Sequence, residues 1–271
     1  KDNVQLTFQA EKDGRPTQFT TTADLVVGAD GIRSTVRQFL IGEQTTPLRY
    51  LGCIVILGIC QLKDISIESP LLDGETVFQT ADGNVRIYSM PFSTTQYMWQ
   101  LSYPLDEHTA KETSQQGPAA LKAASLEKCG SWHSPVPELL RATPQNLVSG
   151  YPVYDRTLLN ESMLTSDRIT LLGDAAHPMS PFKGQGANQA MLDGLSLARA
   201  IFSGVDNPFQ KFESEMLERS SKKVQASADA AKFLHSDVAI QKGDVTRGQA
   251  AKDQAAKDQA SGVKNMTRAQ E

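Results

Sequence analysis

At 271 residues the chain has room for one large domain or two modest ones with a substantial core. Hydrophobic residues make up 39% and charged residues 21%, and 27 Lys and Arg against 31 Asp and Glu leave a net charge of -4. That balance lacks the basic excess a phosphate backbone demands, so no nucleic-acid partner is expected. The longest apolar run, around Ile54 to Ile59, is far short of the roughly 20 residues of a transmembrane segment. Position 1 is Lys and no charged-then-apolar leader follows it, so the expectation is an intracellular, cytoplasmic protein whose sequence here is incomplete.

In chain order, Val4 to Phe8 alternates at the strand period, Lys12 to Arg15 has turn chemistry, and Gln18 to Thr22 reads as the returning strand of a hairpin. Asp24 to Gly31 is a short β-branched run ending in glycines, the pattern of a buried strand entering a tight loop. Ser34 caps a short helix through Phe39. Tyr50 to Tyr103 is mostly strand, with turns at Asp73-Gly74 and Asp82-Gly83 and β-rich runs at Val85 to Met90 and Gln96 to Tyr103. Ser114 to Cys129 and Val136 to Arg141 read as helices, and Tyr151 to Tyr154 as extended.

Arg168 to Asp174 is a second buried strand, ending in Gly-Asp, followed by a loop over Ala175 to Lys183. Ala187, Met191, Leu195, Ala198 and Phe202 then recur at helical spacing. Asn207-Pro208 caps a long helix running to about His235. Beyond it, Gln249 to Ala260 repeats Ala-Ala-Lys-Asp-Gln without large apolar residues, so 236–271 is expected to be a disordered tail with an unknown partner.

Two segments carry chemistry: Asp24-Leu25-Val26-Val27-Gly28-Ala29-Asp30-Gly31-Ile32-Arg33-Ser34-Thr35-Val36-Arg37, and Gly173-Asp174-Ala175-Ala176-His177-Pro178-Met179-Ser180-Pro181-Phe182-Lys183-Gly184-Gln185-Gly186-Ala187-Asn188. Together they resemble the "DG" and "GD" motifs of the class A flavoprotein monooxygenases, the group of para-hydroxybenzoate hydroxylase, kynurenine monooxygenase and the tetracycline-inactivating hydroxylases. The resemblance covers about Val4 to His235. It implies an α/β (α+β) FAD/NAD(P)-binding fold of the para-hydroxybenzoate-hydroxylase type with an antiparallel-sheet substrate domain. The FAD-binding domain would take 1–49 and 156–235, and the substrate domain 50–155.

The resemblance further implies an FAD-dependent, NADPH- or NADH-using monooxygenase. It would insert one atom of O2 into a small organic, aromatic or polycyclic substrate through a flavin C4a-hydroperoxide.

A carboxylate at a strand end can accept hydrogen bonds from sugar-like hydroxyls, so Asp174, after Gly173, suits a ribityl chain. Gly184 and Gly186 open the next helix, where the free N–H groups of Gly186, Ala187 and Asn188 suit the electron-rich edge of a reduced flavin. The resemblance sets Pro181 against the ring near the oxygen-reacting carbon, as the one catalytic candidate, and Asp30 near the pyrophosphate. Gly28 and Gly31 allow close approach there, and Arg37, more than Arg33, is a cofactor candidate. Arg86, Tyr88, Met98 and Gln100, on strands expected to roof the pocket, are the substrate candidates. His177 is read as ordering its loop by a hydrogen bond rather than as a catalytic base.

Cys53, Cys60 and Cys129 have no C-x-x-C spacing and read as reduced, buried thiols. No H-E-x-x-H, cysteine cluster or G-x-S-x-G occurs, so no metal site or serine nucleophile is expected. Gly184 to Gln189 is not a dinucleotide fingerprint, because it ends in Gln and opens no βαβ unit. Family members begin with a strand, G-x-G-x-x-G and a helix that hold the ADP half of FAD. No such segment stands before Val4, so a half site and an open sheet edge are expected. A halogenase is disfavoured by the lack of W-x-W-x-I-P, whereas a flavin-dependent reductase and a non-catalytic, partner-binding remnant stay open as alternatives.

Overall fold

The computed structural model describes residues 3–12, 15–204 and 207–241. Its regular elements are β1 (Val4–Lys12), β2 (Arg15–Ala23), β3 (Val26–Gly28), α1 (Thr35–Ile41), β4 (Leu48–Gln61), β5 (Phe78–Ala81), β6 (Arg86–Ser93) and β7 (Gln96–Pro104). They continue with α2 (Glu107–Gln115), α3 (Pro118–Cys129), α4 (Val136–Ala142), β8 (Val148–Arg156), β9 (Ile169–Leu171), α5 (Gly186–Phe202) and α6 (Pro208–Leu234). The chain divides into two compact units. The first takes Lys1–Cys53, Asp106–Ala110 and Pro152–Lys232; the second takes Ile54–Leu105, Lys111–Tyr151 and the segment from Phe233 on.

In the first unit β1 and β2 form the expected hairpin, registered from Val4↔Ala23 to Lys12↔Arg15, with the cross-strand pair Phe8 and Phe19 stacked at 4.9 Å between centroids. Its turn residues, 13 and 14, lie outside the described residues. The two strands read as buried, β3 and β9, pair in parallel, with Val26↔Ile169, Val27↔Thr170 and Gly28↔Leu171 in register. Leu171, Leu197, Phe209, Phe212 and Met216 centre the core around them. Each buried phenylalanine there contributes about 1.5–3 kcal/mol by leaving water. The Asn207 side chain caps α6 by accepting from the Gln210 N–H at 3.1 Å.

Helix α5 faces the opposite way from a simple apolar-stripe reading. Gln189, Asp193, Leu197 and Ala200 are its buried residues. Met191 (67% exposed), Leu195 (48%) and Phe202 (89%) face outward. Two stripes compete on this helix, and the buried one is polar over its first half, where Gln189 and Asp193 meet Arg219 of α6.

The second unit holds most of a five-stranded sheet in the order β5-β6-β7-β4-β8, with antiparallel pairing at β5–β6 and β6–β7. Both Asp-Gly turns form. Asp73 Oδ1 accepts from the N–H groups of Glu75 and Thr76, and Asp82 Oδ1 from those of Asn84 and Val85. One face of β6 and β7 buries Ile87, Ser89, Tyr97, Trp99 and Leu101, and the Trp99 indole donates to Thr143 Oγ1 at 2.8 Å. The helix expected over Ser114 to Cys129 is two helices, α2 and α3. Gly117, at φ 85°, and Pro118 break it, since a residue before proline is driven out of the helical region.

The three cysteines are unpaired and at most 2% exposed, and burial pushes their thiols up to about 12 for Cys53, about 11 for Cys60 and about 12 for Cys129. No described helix is long and apolar enough to cross a membrane. Within the expected tail, Asp237–Ile240 forms a 3₁₀ turn, and residues 242–271, with the Ala-Ala-Lys-Asp-Gln repeat, lie outside the described residues.

Candidate functional site

Parallel pairing of β3 and β9 brings both motifs to one end of the strands, since each follows the carboxyl end of its strand. Gly28 is required there by packing: a Cβ on it would stand 2.6 Å from Leu171 and 2.8 Å from Val36. After it the chain turns through Asp30 and Gly31, whose φ of 79° favours glycine and which has nothing within 4 Å of an added Cβ.

The Asp30 carboxylate is engaged by the start of α1. It accepts from the Ser34 hydroxyl, from the Thr35 N–H at 2.7 Å and from the Val36 N–H at 3.2 Å, while Ser34 Oγ accepts from the Arg37 N–H at 2.9 Å. Desolvation pushes the Asp30 carboxyl up, but the hydrogen bonds, led by Ser34, outweigh it and hold it below the usual range.

The second motif is a chain of short turns. Gly173–Ala175 is a 3₁₀ turn, Pro181–Lys183 another, Gly184 adopts the left-handed conformation at φ 60°, and α5 starts at Gly186. Asp174 is exposed and has no hydrogen bond among the described residues. Although its side chain reaches solvent, desolvation by the surrounding turns raises its carboxyl above the usual range, with His177 nearby opposing the shift. A Cβ on Gly186 would lie 3.8 Å from Asp174 Oδ1, so this carboxylate sits beside the opening turn of α5. No side chain caps that turn at Gln185, which leaves the N–H groups of Gly186, Ala187 and Asn188 without intrahelical acceptors. The Pro181 loop is anchored through its neighbour: Ser180 Oγ donates to the Ser227 carbonyl of α6 at 2.7 Å, and Ser227 Oγ returns a bond to the Ser180 carbonyl at 2.7 Å.

Arg37 is 2% exposed, and its guanidinium makes four hydrogen bonds within the protein. Nη1 donates to the carbonyls of Ala175 (2.8 Å) and Ala176 (2.7 Å), Nε to Thr46 Oγ1 (3.0 Å) and Nη2 to the Thr157 carbonyl (3.4 Å). It therefore joins the first motif to the second. Burial, with Arg156 nearby, pushes its guanidinium down to about 10, against the pull of Glu43. Arg156, which the sequence reading passed over, braces the first turn by donating to the Ile32 carbonyl at 2.7 Å and the Thr46 carbonyl at 2.8 Å. Arg33 is exposed.

His177 orders its loop as expected, its Nε2 lying 2.6 Å from Asp193 Oδ2. Asp193 was also missed, because the more apolar stripe of α5 drew the reading to the opposite face.

In the second unit the four substrate candidates share one sheet face. Tyr88 pairs with Gln100, Met98 with Met90, and Arg86 with Ser102. Tyr88, Met98 and Gln100 are half-buried, whereas Arg86 is buried, donates to Gln79 Oε1 at 3.0 and 3.2 Å, and lies 5.3 Å from the Tyr88 ring centre.

The arrangement suits a flavin: an unpartnered carboxylate for hydroxyls, beside an uncapped helix start for an electron-rich ring edge. Comparison with known proteins points to the same cofactor. Residues 1–207 match the FAD binding domain family. The chain is 31% identical over 229 residues to aurachin C monooxygenase/isomerase of Stigmatella aurantiaca, covering 84% of this chain and 55% of that protein. It is 27% identical over 214 residues to 6-hydroxynicotinate 3-monooxygenase of Pseudomonas fluorescens, covering 78% and 53%. Klebsiella pneumoniae HpxO, solved with FAD and uric acid, shares the fold at a TM-score of 0.71 and 23% identity, over 86% of this chain and 58% of that one. The chain thus spans about half the length of the curated relatives it matches. It belongs to the FAD binding domain family of the class A flavin monooxygenases.

Proposed function

We propose that, within a longer flavoprotein, this chain contributes the ring-side FAD contacts and the substrate sheet of a monooxygenase acting on a small aromatic or polycyclic compound. The observation that carries the reading is Asp174, a strand-end carboxylate that accepts no hydrogen bond among the described residues, beside an uncapped helix start. The names of relatives that act on 6-hydroxynicotinate, 3-amino-4-hydroxybenzoate and 6-methylsalicylate support an aromatic substrate. The outward apolar stripe of α5 supports a longer protein, being the kind of surface that further elements cover.

When bound, FAD reduced by NADPH or NADH supplies the oxygen chemistry, with O2 as the other substrate. The residues of this chain bind and orient. Asp174 accepts hydrogen bonds from ribityl-type hydroxyls. The N–H groups of Gly186, Ala187 and Asn188 stabilise negative charge on the ring edge. Pro181, with no N–H to donate, lines the site as an apolar wall that excludes water. Gly31 and the loop held by Arg37 form the turn on the pyrophosphate side, and Asp30, its carboxylate taken up by the start of α1, shapes that turn. On the second unit, Tyr88, Met98 and Gln100 offer a mixed apolar and hydrogen-bonding surface to the substrate.

The test is a titration of FAD into the chain, followed by flavin fluorescence. A dissociation constant in the micromolar to near-millimolar range is expected for partial contacts. Asp174→Ala should weaken it about 10- to 100-fold, the loss of a hydrogen bond to a charged group. Equal affinity in a folded Asp174→Ala variant overturns the assignment.

A further inference from the structure

The loop around Asp174 is gripped by a buried carboxylate that no motif reading assigned. Asp193, fully buried on α5, accepts from the Gly173 N–H at 2.8 Å and lies 2.6 Å from His177 Nε2, both through Oδ2. Its Oδ1 accepts from Arg219 Nη2 of α6, whose Nε in turn donates to Gln189 Oε1 at 3.0 Å. The two loop contacts bracket Asp174, one residue before it and three after. On the other side, Arg37 holds the carbonyls of Ala175 and Ala176. Within the loop the Ala176 and His177 N–H groups donate to the Gly173 carbonyl, so the loop is held from inside and from both sides, while the Asp174 carboxylate accepts no hydrogen bond among the described residues.

A second observation gives this grip a chemical sense. His177 is 4% exposed, and its Nδ1 is buried without a hydrogen-bond partner among the described residues. A carboxylate can only accept, so the ring nitrogen facing Asp193 must carry a proton. In the neutral ring the other nitrogen, Nδ1, then holds a bare lone pair. Arg219 matters here because its guanidinium pairs with Oδ1 of the buried carboxylate, which orients Asp193 so that Oδ2 faces the imidazole and the Gly173 N–H.

We propose that Asp193 is a positioning residue for flavin binding: with Arg219 behind it, it fixes His177 as the Nε2–H tautomer and sets the 173–177 loop so that Asp174 stays free to receive ligand hydroxyls. The proposal rests on the reading of Asp174 given above, and its experiment has one arm that does not. Long-range proton–nitrogen NMR of the histidine rings, on the chain without FAD, should show His177 protonated at Nε2 with an unprotonated Nδ1. Asp193→Asn, of the same shape but able to donate, should shift His177 toward the Nδ1–H form. Arg219→Gln should shift it part of the way, and Arg219→Lys should restore the parent pattern.

In the second arm, titration with FAD should give about tenfold weaker binding for Asp193→Asn, the size of one lost hydrogen bond to a charged group, and near-parent binding for Arg219→Lys. An Nδ1–H tautomer in the parent chain overturns the proposal, as does unchanged tautomer and FAD affinity in a folded Asp193→Asn variant. Should Asp193→Asn fail to fold, the Arg219→Gln and Arg219→Lys pair decides the same question, since both retain Asp193. If the parent takes up no FAD at all, the functional reading of Asp174 fails, while the tautomer arm still decides whether Asp193 sets His177.

Discussion

Asp30 and Asp174 leave the carboxyl ends of two short parallel strands, two residues after Gly28 and one after Gly173. The first carboxylate accepts three hydrogen bonds from the start of its own helix, and the second accepts none among the described residues. Their titration follows suit, Asp30 held below the carboxylate range and Asp174 above it. The contrast teaches that two glycine-flanked acids with the same letters around them can be a structural cap in one case and a free acceptor in the other. What separates them is the next few residues: Ser34 and two N–H groups close on Asp30, whereas after Asp174 the loop's polar groups turn to Arg37 and Asp193.

Cutting the link between the two turns should produce the largest effect. Arg37→Met removes donors from the buried carbonyls of Ala175 and Ala176, and is expected to cost about 2 to 4 kcal/mol of stability. Urea unfolding, read as a midpoint shift at constant slope, measures this. A loss below about 1 kcal/mol would mean that the two turns are not held together by that side chain.

A pH contrast sharpens the comparison from beneath. Thr170, in the strand leading to Asp174, donates to Glu213 Oε1 at 2.6 Å, and burial, the larger effect, raises the Glu213 carboxyl to about 7 despite that bond. A folded-state value raised above the unfolded one means that the stability from this group is fully present below about 4.5 and is lost as pH rises through about 7. Glu213→Gln keeps an oxygen to accept from Thr170 without the charge. It should be more stable than the parent by about 2 to 3 kcal/mol at pH 8 and no more stable at pH 4. Thermal melts at both values check it, and a pH-independent difference would rule out this ionisation as the source.

The smallest effect belongs to Asp30. Asp30→Ala removes a cap from the seven-residue α1 and should cost about 1 kcal/mol. FAD affinity should stay within about threefold, a free-energy change well under 1 kcal/mol, in contrast with Asp174→Ala. A loss of FAD affinity as large as that of Asp174→Ala would erase the distinction drawn here.

Much of this arrangement was legible from the residues. Strand-period alternation found the β1–β2 hairpin, the runs leading into Gly28 and Gly173 found two strands though not their parallel pairing, and Asn207-Pro208 found the start of α6. The site was legible where a backbone rule is local, as at Ser34 and the Gly184 to Gly186 helix start. It was not legible where the answer depends on what packs across. Met191, Leu195 and Phe202 form the more apolar stripe of α5, yet the buried face is the one whose Asp193 meets Arg219, 26 residues on in α6. Nothing in the spacing of Arg37 announces that its guanidinium reaches the carbonyls of Ala175 and Ala176 more than 130 residues away. The split of Ser114 to Cys129 at Gly117-Pro118 was readable and was overridden by the helical propensity on both sides.

The three cysteines give the molecule a clock. With thiol values of about 11 to 12, only a vanishing fraction of each is thiolate at neutral pH, and all three side chains are closed off from reagents in solution. An alkylating reagent can reach them only when the surrounding structure opens, so the pace of alkylation reports the pace of opening. No cysteine elsewhere in the sequence blurs that signal. Cys53 ends the first unit's opening segment, while Cys60 and Cys129 lie in the second unit. The chain therefore times the opening of its own parts without any label being engineered into it.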